Sequence, residues 1–128
     1  MTLVRSPREI AVVESLRRSL QAKGIATKKN HGSHVSVRGW PDLEAFRNGR
    51  IVYIEVKRDE KAELTRIQKA KCRELVKNHG MTVFVCRGAA DVERLATRIE
   101  WLLRLFMPWD AEEVSDMKEF LDPAGRDA

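Results

Sequence analysis

The stretch GWPDLEAFRNGRIVYIEVKRDE, residues 39–60, decides the fold. Asn48-Gly49 sits between two apolar runs and is the strongest short signal for a hairpin turn. It predicts one strand over Asp42–Phe46 and a second over Ile51–Lys57, joined through Arg47–Arg50. Side chains alternate along a strand. Val52, Ile54 and Val56 therefore give one wholly apolar face. The other face reads Ile51, Tyr53, Glu55, Lys57 and turns from apolar to charged at its end. Folding the hairpin brings Asp42 back beside that end, so an acid from one strand meets an acid and a base from the next.

Working outward, Ser6-Pro7-Arg8-Glu9 reads as a helix start, with Ser6 as N-cap and Pro7 in the first helical position. That helix is expected to reach Ala22 and stop at Gly24. IATKK (25–29) is a short strand, and NHGSHVSVRG (30–39) is a loop with some strand character at Val35–Val37. After the hairpin, Thr65 opens a second helix that ends before Gly80. Met81–Cys86 is rich in β-branched residues and reads as a buried strand. AADVERLATRIEWLLRLF (89–106) is a third helix, and Asp110–Glu113 fits a capping box for a last one ending near Leu121. The order α-β-β-β-α-β-α-α contains a β-α-β unit, which favours a parallel pair, next to an antiparallel hairpin. The expectation is an α/β fold: a mixed central sheet flanked by helices. Two regions are expected, a main domain over 1–106 and an acidic helical extension over 107–128 packed on the same domain.

Bulk properties narrow the function. The 128 residues suit one domain with a modest core. No run of apolar residues reaches the length of a membrane span, and the N-terminus lacks a signal peptide's apolar core. Cys72 and Cys86 lie in apolar stretches and read as reduced core thiols, which points to the cytoplasm. The net charge of +5 is unevenly spread. Residues 1–88 carry 19 Lys+Arg against 9 Asp+Glu, whereas residues 89–128 carry 5 against 10. A basic body fits a polyanion-binding surface.

Two carboxylates and an ammonium at one sheet edge have a chemical use. Phosphodiester hydrolysis needs charge neutralised at the phosphate and a water made nucleophilic. Mg²⁺ does both and takes oxygen ligands from one or two carboxylates. The plain alternative is a surface ion pair between Glu55 and Lys57, worth about 0–1 kcal/mol. An ExK sequence alone is weak; ExK closing a buried strand, after a hairpin that opens with Pro-Asp, is far more specific.

Pro41-Asp42 followed by Glu55-Val56-Lys57 resembles the PD-(D/E)XK nuclease signature. RGWPDLEAFRNGRIVYIEVK (38–57) with LTRIQKAKCRELVKNHGMTVFVC (64–86) resembles the VRR-NUC branch, small nucleases of phages, bacteria and some eukaryotic repair enzymes. Gly39, Pro41, Asp42, Leu43, Glu55, Lys57, Gln68 and Gly80 carry the match, which covers about residues 8–96. Trp40 stands where a smaller aliphatic is usual. The resemblance implies a restriction-endonuclease-like core (αβββαβ), here with extra C-terminal helices. It implies Asp42 and Glu55 as metal ligands, the Val56 carbonyl as a further one, and Lys57 as the catalytic lysine. It also implies a glutamate from the first helix, where Glu9 and Glu14 are candidates. At about 100° per residue the stripe Val12, Val13, Leu16, Leu20 spans about 120° to 220°; Glu9 falls near 180° and Glu14 near 320°. Glu9 is thus the inward one, although the helix dipole alone would favour an acid there. Gln68 completes a Thr65–Gln68 capping box and also takes the family's active-site glutamine position.

The resemblance implies an endonuclease that uses Mg²⁺, with Mn²⁺ as a substitute, on branched DNA such as Holliday junctions, in repair or recombination, inside a phage-infected or bacterial cell. A homodimer is the expected assembly, with the block Trp101–Trp109 as core closure or interface. No membrane and no small organic cofactor are expected. Lys28, Lys29, His31, Ser33, His34 and Arg38, with Lys61, Arg66 and Lys69, are the expected DNA contacts. His31 and His34 lack further ligands nearby, so zinc is not expected. The rival readings are a nuclease acting on flap, single-stranded or nicked DNA, and a DNA-binding module without catalysis.

Overall fold

A computed structural model describes residues 6–30 and 39–104. Eight elements follow in order: α1 (Pro7–Ala22), β1 (Ala26–Lys29), β2 (Leu43–Arg47), β3 (Arg50–Lys57), α2 (Arg66–His79), β4 (Thr82–Arg87), a 3₁₀ turn (Ala89–Asp91) and α3 (Val92–Leu103). The strands form one sheet in the order β1-β2-β3-β4. The first two pairings are antiparallel and β3–β4 is parallel. A mixed sheet of restriction-endonuclease-like type is thus present. The His31–Arg38 loop, Leu105–Trp109 and the expected acidic helix lie outside the described residues.

Local signals set the elements. Ser6 caps α1, its hydroxyl accepting from the Glu9 backbone N–H at 3.1 Å. Gly80, at φ 64°, closes α2 in the left-handed conformation. Asn48 and Gly49 both take positive φ, 56° and 76°, as a two-residue hairpin turn demands. The turn also serves the helices behind it. Asn48 Nδ2 donates to the Leu103 carbonyl at 2.9 Å and Arg50 to that of Leu102 at 3.3 Å, satisfying acceptors at the end of α3.

The alternation in β3 divides the interior in two. Val52, Ile54 and Val56 pack with Val12, Leu16 and Leu20 of α1 and Leu95 and Ile99 of α3. Tyr53 packs on the opposite face with Val83, Val85 and the α2 residues Cys72, Leu75 and Val76. The sheet is therefore sandwiched, with α1 and α3 on one side and α2 on the other. Both cysteines are buried free thiols. Among the described residues no helix is long and apolar enough to cross a membrane.

Candidate active site

The strand register fixes where the charged residues meet. Leu43 pairs with Ile54, so Asp42, one step before β2, falls beside Glu55. Asp42 is held on two sides. Its carboxylate Oδ2 accepts from the Val56 backbone N–H at 2.7 Å, and its own carbonyl accepts from the Asn30 N–H at 2.9 Å. Asn30 Nδ2 donates to the Pro41 carbonyl at 3.2 Å. The strand begins at Leu43 rather than at Asp42, because Asp42 turns its side chain, not its ladder position, to β3.

Glu55 and Lys57 point to the α2 side, where Gln68 meets both. Gln68 Nε2 donates to Glu55 Oε2 at 2.9 Å, and Gln68 Oε1 accepts from Lys57 Nζ at 2.8 Å. Lys57 Nζ lies 3.9 Å from Glu55 Oε2. The same Gln68 oxygen accepts from the Thr65 N–H at 2.8 Å, and Thr65 Oγ1 accepts from the Gln68 N–H at 3.1 Å. The capping box and the site contact are thus one structure: the cap fixes Gln68, and Gln68 fixes the ammonium against the carboxylate. Asp42, Glu55 and Lys57 are 1%, 0% and 6% exposed. Charges so buried are costly unless compensated, which sets this cluster apart from a solvated ion pair.

The donor set fits a hard divalent cation. Two buried carboxylates from adjacent strands lie side by side, and carboxylate oxygens are the ligands such an ion takes. Glu9 occupies the first turn of α1 and is half-buried. Among the described residues no three His, Cys, Asp or Glu side chains come together closely enough to hold an ion, so Glu9 does not join Asp42 and Glu55 in a triad. Glu14, on the other side of α1, accepts from Lys29 Nζ at 3.1 Å and from Arg17. That hydrogen bond to Lys29 holds its carboxyl below the usual range against a weaker effect of burial.

The expected DNA contacts separate. Lys28 pairs across the sheet with Glu44, which pairs with Tyr53, so Lys28 shares the face of Glu55. Lys29 turns to the opposite face and is engaged by Glu14. Lys61 and Arg66 are exposed and Lys69 is half-buried, with Arg66 and Lys69 flanking Gln68 on α2. His31, Ser33, His34 and Arg38 lie outside the described residues, but the flanking Asn30 and Gly39 are both fixed at the site. Sequence reasoning missed Asn30, since one asparagine after a strand carries no distinctive signal. It also missed the aromatic pair beside Asp42: Trp40 meets Tyr53 edge-to-face at 5.6 Å, with Lys71 Nζ 5.8 Å from the Trp40 ring.

The family model of the archaeal Holliday junction resolvases, Hjc, matches residues 8–119. The chain belongs to that family. A solved VRR_NUC domain superposes with a TM-score of 0.61 at 27% identity, covering 72% of this chain and 97% of that one. No curated protein matches. The PD-(D/E)XK resemblance, narrowed to VRR-NUC, is borne out, and the chain is a nuclease by family.

Gln68→Ala is expected to slow single-turnover cleavage about a hundredfold with DNA affinity nearly unchanged, because it frees the Lys57 ammonium from its geometry. An equal loss in affinity would instead make Gln68 a DNA contact.

Proposed function

We propose that the chain is a Mg²⁺-dependent endonuclease that cuts branched DNA, four-way junctions foremost. The observation that carries this is the convergence of Asp42, Glu55 and Lys57, with Gln68 locking the last two together. Asp42 and Glu55 would hold the ion with the Val56 carbonyl, and Glu9 is the candidate for a further ligand once DNA is bound. A bound divalent ion supplies charge neutralisation at the scissile phosphate and a nucleophilic water. Lys57, donor-only when charged, steadies negative charge growing on the phosphate oxygens. Gln68, bonded to both, holds that ammonium in place beside Glu55. Lys28, Lys61, Arg66 and Lys69, together with His31, Ser33, His34 and Arg38, would grip flanking phosphates. Lys29, already engaged by Glu14, would contribute least.

The junction preference draws on the Hjc family name. A junction has two equivalent strands to cut, so a homodimer with two sites would serve it. The exposed Trp101 on α3, at 47%, is the candidate contact. The test is cleavage of labelled four-way junction, flap, nicked duplex, linear duplex and single strand in Mg²⁺, in Mn²⁺ and in chelator. Paired symmetric cuts on the junction, lost with chelator, are expected. Faster cutting of flap or single strand would move the substrate there. DNA binding without cleavage in any metal would leave a binding module.

A further inference from the structure

Beyond the carboxyl ends of β3 and β4 lies a cleft of about 440 Å³ that the catalytic cluster does not use. Its floor, the uncharged lining, is small and mostly apolar: Ala11, Val12 and Ser15 of α1, and Gly88, Ala89 and Ala90 after β4, carry nothing larger than a valine side chain. Gly88 makes that floor possible. At φ 91° its backbone runs so close to the segment after β3 that an added Cβ would lie 2.9 Å from Asp59 Cα. Arg8, Arg58 and Arg87 form the rim, with Asp59 and Glu60. Asp59 Oδ1 is taken up by the Lys61 and Ala62 N–H groups at 2.9 Å each. Its Oδ2 lies 3.7 Å from Arg8 and 3.6 Å from Arg58, so one carboxylate is shared by two guanidinium groups and the trio stays net positive. Arg87 is the register partner of Lys57, so the cleft borders the strand ends that carry the proposed catalytic lysine, on the α1 side of the sheet, whereas Lys57 itself turns to α2.

We infer that this cleft takes one unpaired nucleotide of the DNA strand next to the scissile phosphate, its base on the apolar floor and its phosphate on the arginine rim. The volume lies in the range of sites for small ligands. Guanidinium groups match phosphate as forked donors and also stack on bases, the two contacts an unpaired nucleotide offers. A paired base cannot enter, because its ring is stacked within the duplex. The cleft therefore selects DNA with a strand peeled open at the branch. Its role in cleavage rests on the proposed nuclease reading; its ability to bind single strand does not.

The test is fluorescence anisotropy on the full chain in chelator, with a labelled 12-nucleotide single strand, the same strand carrying abasic sites, and a 12-base-pair duplex. Ala11→Leu fills the floor and Arg58→Ala opens the rim. Each is expected to weaken single-strand binding about tenfold and duplex binding less than about twofold. The abasic strand should lose sensitivity to Ala11→Leu but keep it to Arg58→Ala. Equal losses on single strand and duplex would overturn the inference, as would an Ala11→Leu variant that binds normally. Ala89→Leu, on a different element, fills the same floor and gives the same reading should Ala11→Leu lower the melting temperature. A protein that cuts nothing yet shows this selectivity would refute the nuclease reading alone; one that cuts junctions without it would refute the cleft alone.

Discussion

Asp42→Asn is expected to abolish DNA cleavage, by at least about a thousandfold, while leaving the folded protein within about 1 kcal/mol of wild type. Asp42 has two separable duties. Its carboxylate accepts the buried Val56 N–H, and it supplies negative charge beside Glu55. Asparagine keeps an oxygen in the same place for the N–H but cannot supply the charge. Asp42→Ala loses both. It leaves the Val56 N–H without this acceptor, a further cost of about 1–3 kcal/mol. The two variants should therefore be equally inactive but differ in urea midpoint. Mg²⁺ gives a readout free of activity. Wild type should gain about 1.4 kcal/mol for each tenfold excess of Mg²⁺ over its dissociation constant, and both variants should gain little. A wild-type melting curve indifferent to Mg²⁺ and Mn²⁺ would sink the ligand role of Asp42.

Much of this site was legible because it depends on short-range rules. Asn48-Gly49 fixes the hairpin register, the register puts Asp42 beside Glu55, and alternation puts Glu55 and Lys57 on one face. Each step needs only a few neighbouring residues. The two-sided core was legible for the same reason, since Val52, Ile54 and Val56 alternate with Tyr53. What escaped the sequence depends on contacts between distant segments. The Lys28/Lys29 split follows from where β1 lies against α1, and nothing in two adjacent lysines announces that one of them will be neutralised by Glu14. Glu9 shows the opposite limit. Helical phase turned it inward, as its half-buried position agrees, but phase says nothing of how far α1 stands from the sheet edge. The arginine-rimmed cleft, too, draws its walls from three segments up to 82 positions apart, from Arg8 to Ala90.

Gly39 was legible as part of a motif but not as a mechanism, and the mechanism yields the second large effect. Gly39 and Gly49 have nearly the same backbone angle, φ 78° and 76°. An added Cβ at Gly49 meets nothing within 4 Å, whereas at Gly39 it would lie 2.7 Å from both Ile67 Cγ2 and the Ile67 carbonyl oxygen. Gly49→Ala therefore carries only the left-handed penalty, about 1 kcal/mol. Gly39→Ala carries that and an overlap with backbone that cannot rotate away, about 3 kcal/mol in all. The location matters more than the sum. Ile67 adjoins Gln68, and Gly39 is three residues from Asp42, so the contact seats the first turn of α2 against the segment that delivers the carboxylate. Relieving the overlap must move Gln68 away from Asp42 and loosen the Gln68 bridge between Lys57 and Glu55. Gly39→Ala should thus lose cleavage about a hundredfold even at temperatures where it stays folded, whereas Gly49→Ala should cut at the wild-type rate. If both variants lose stability equally and keep full activity, the close approach of Gly39 to α2 is not what aligns the site.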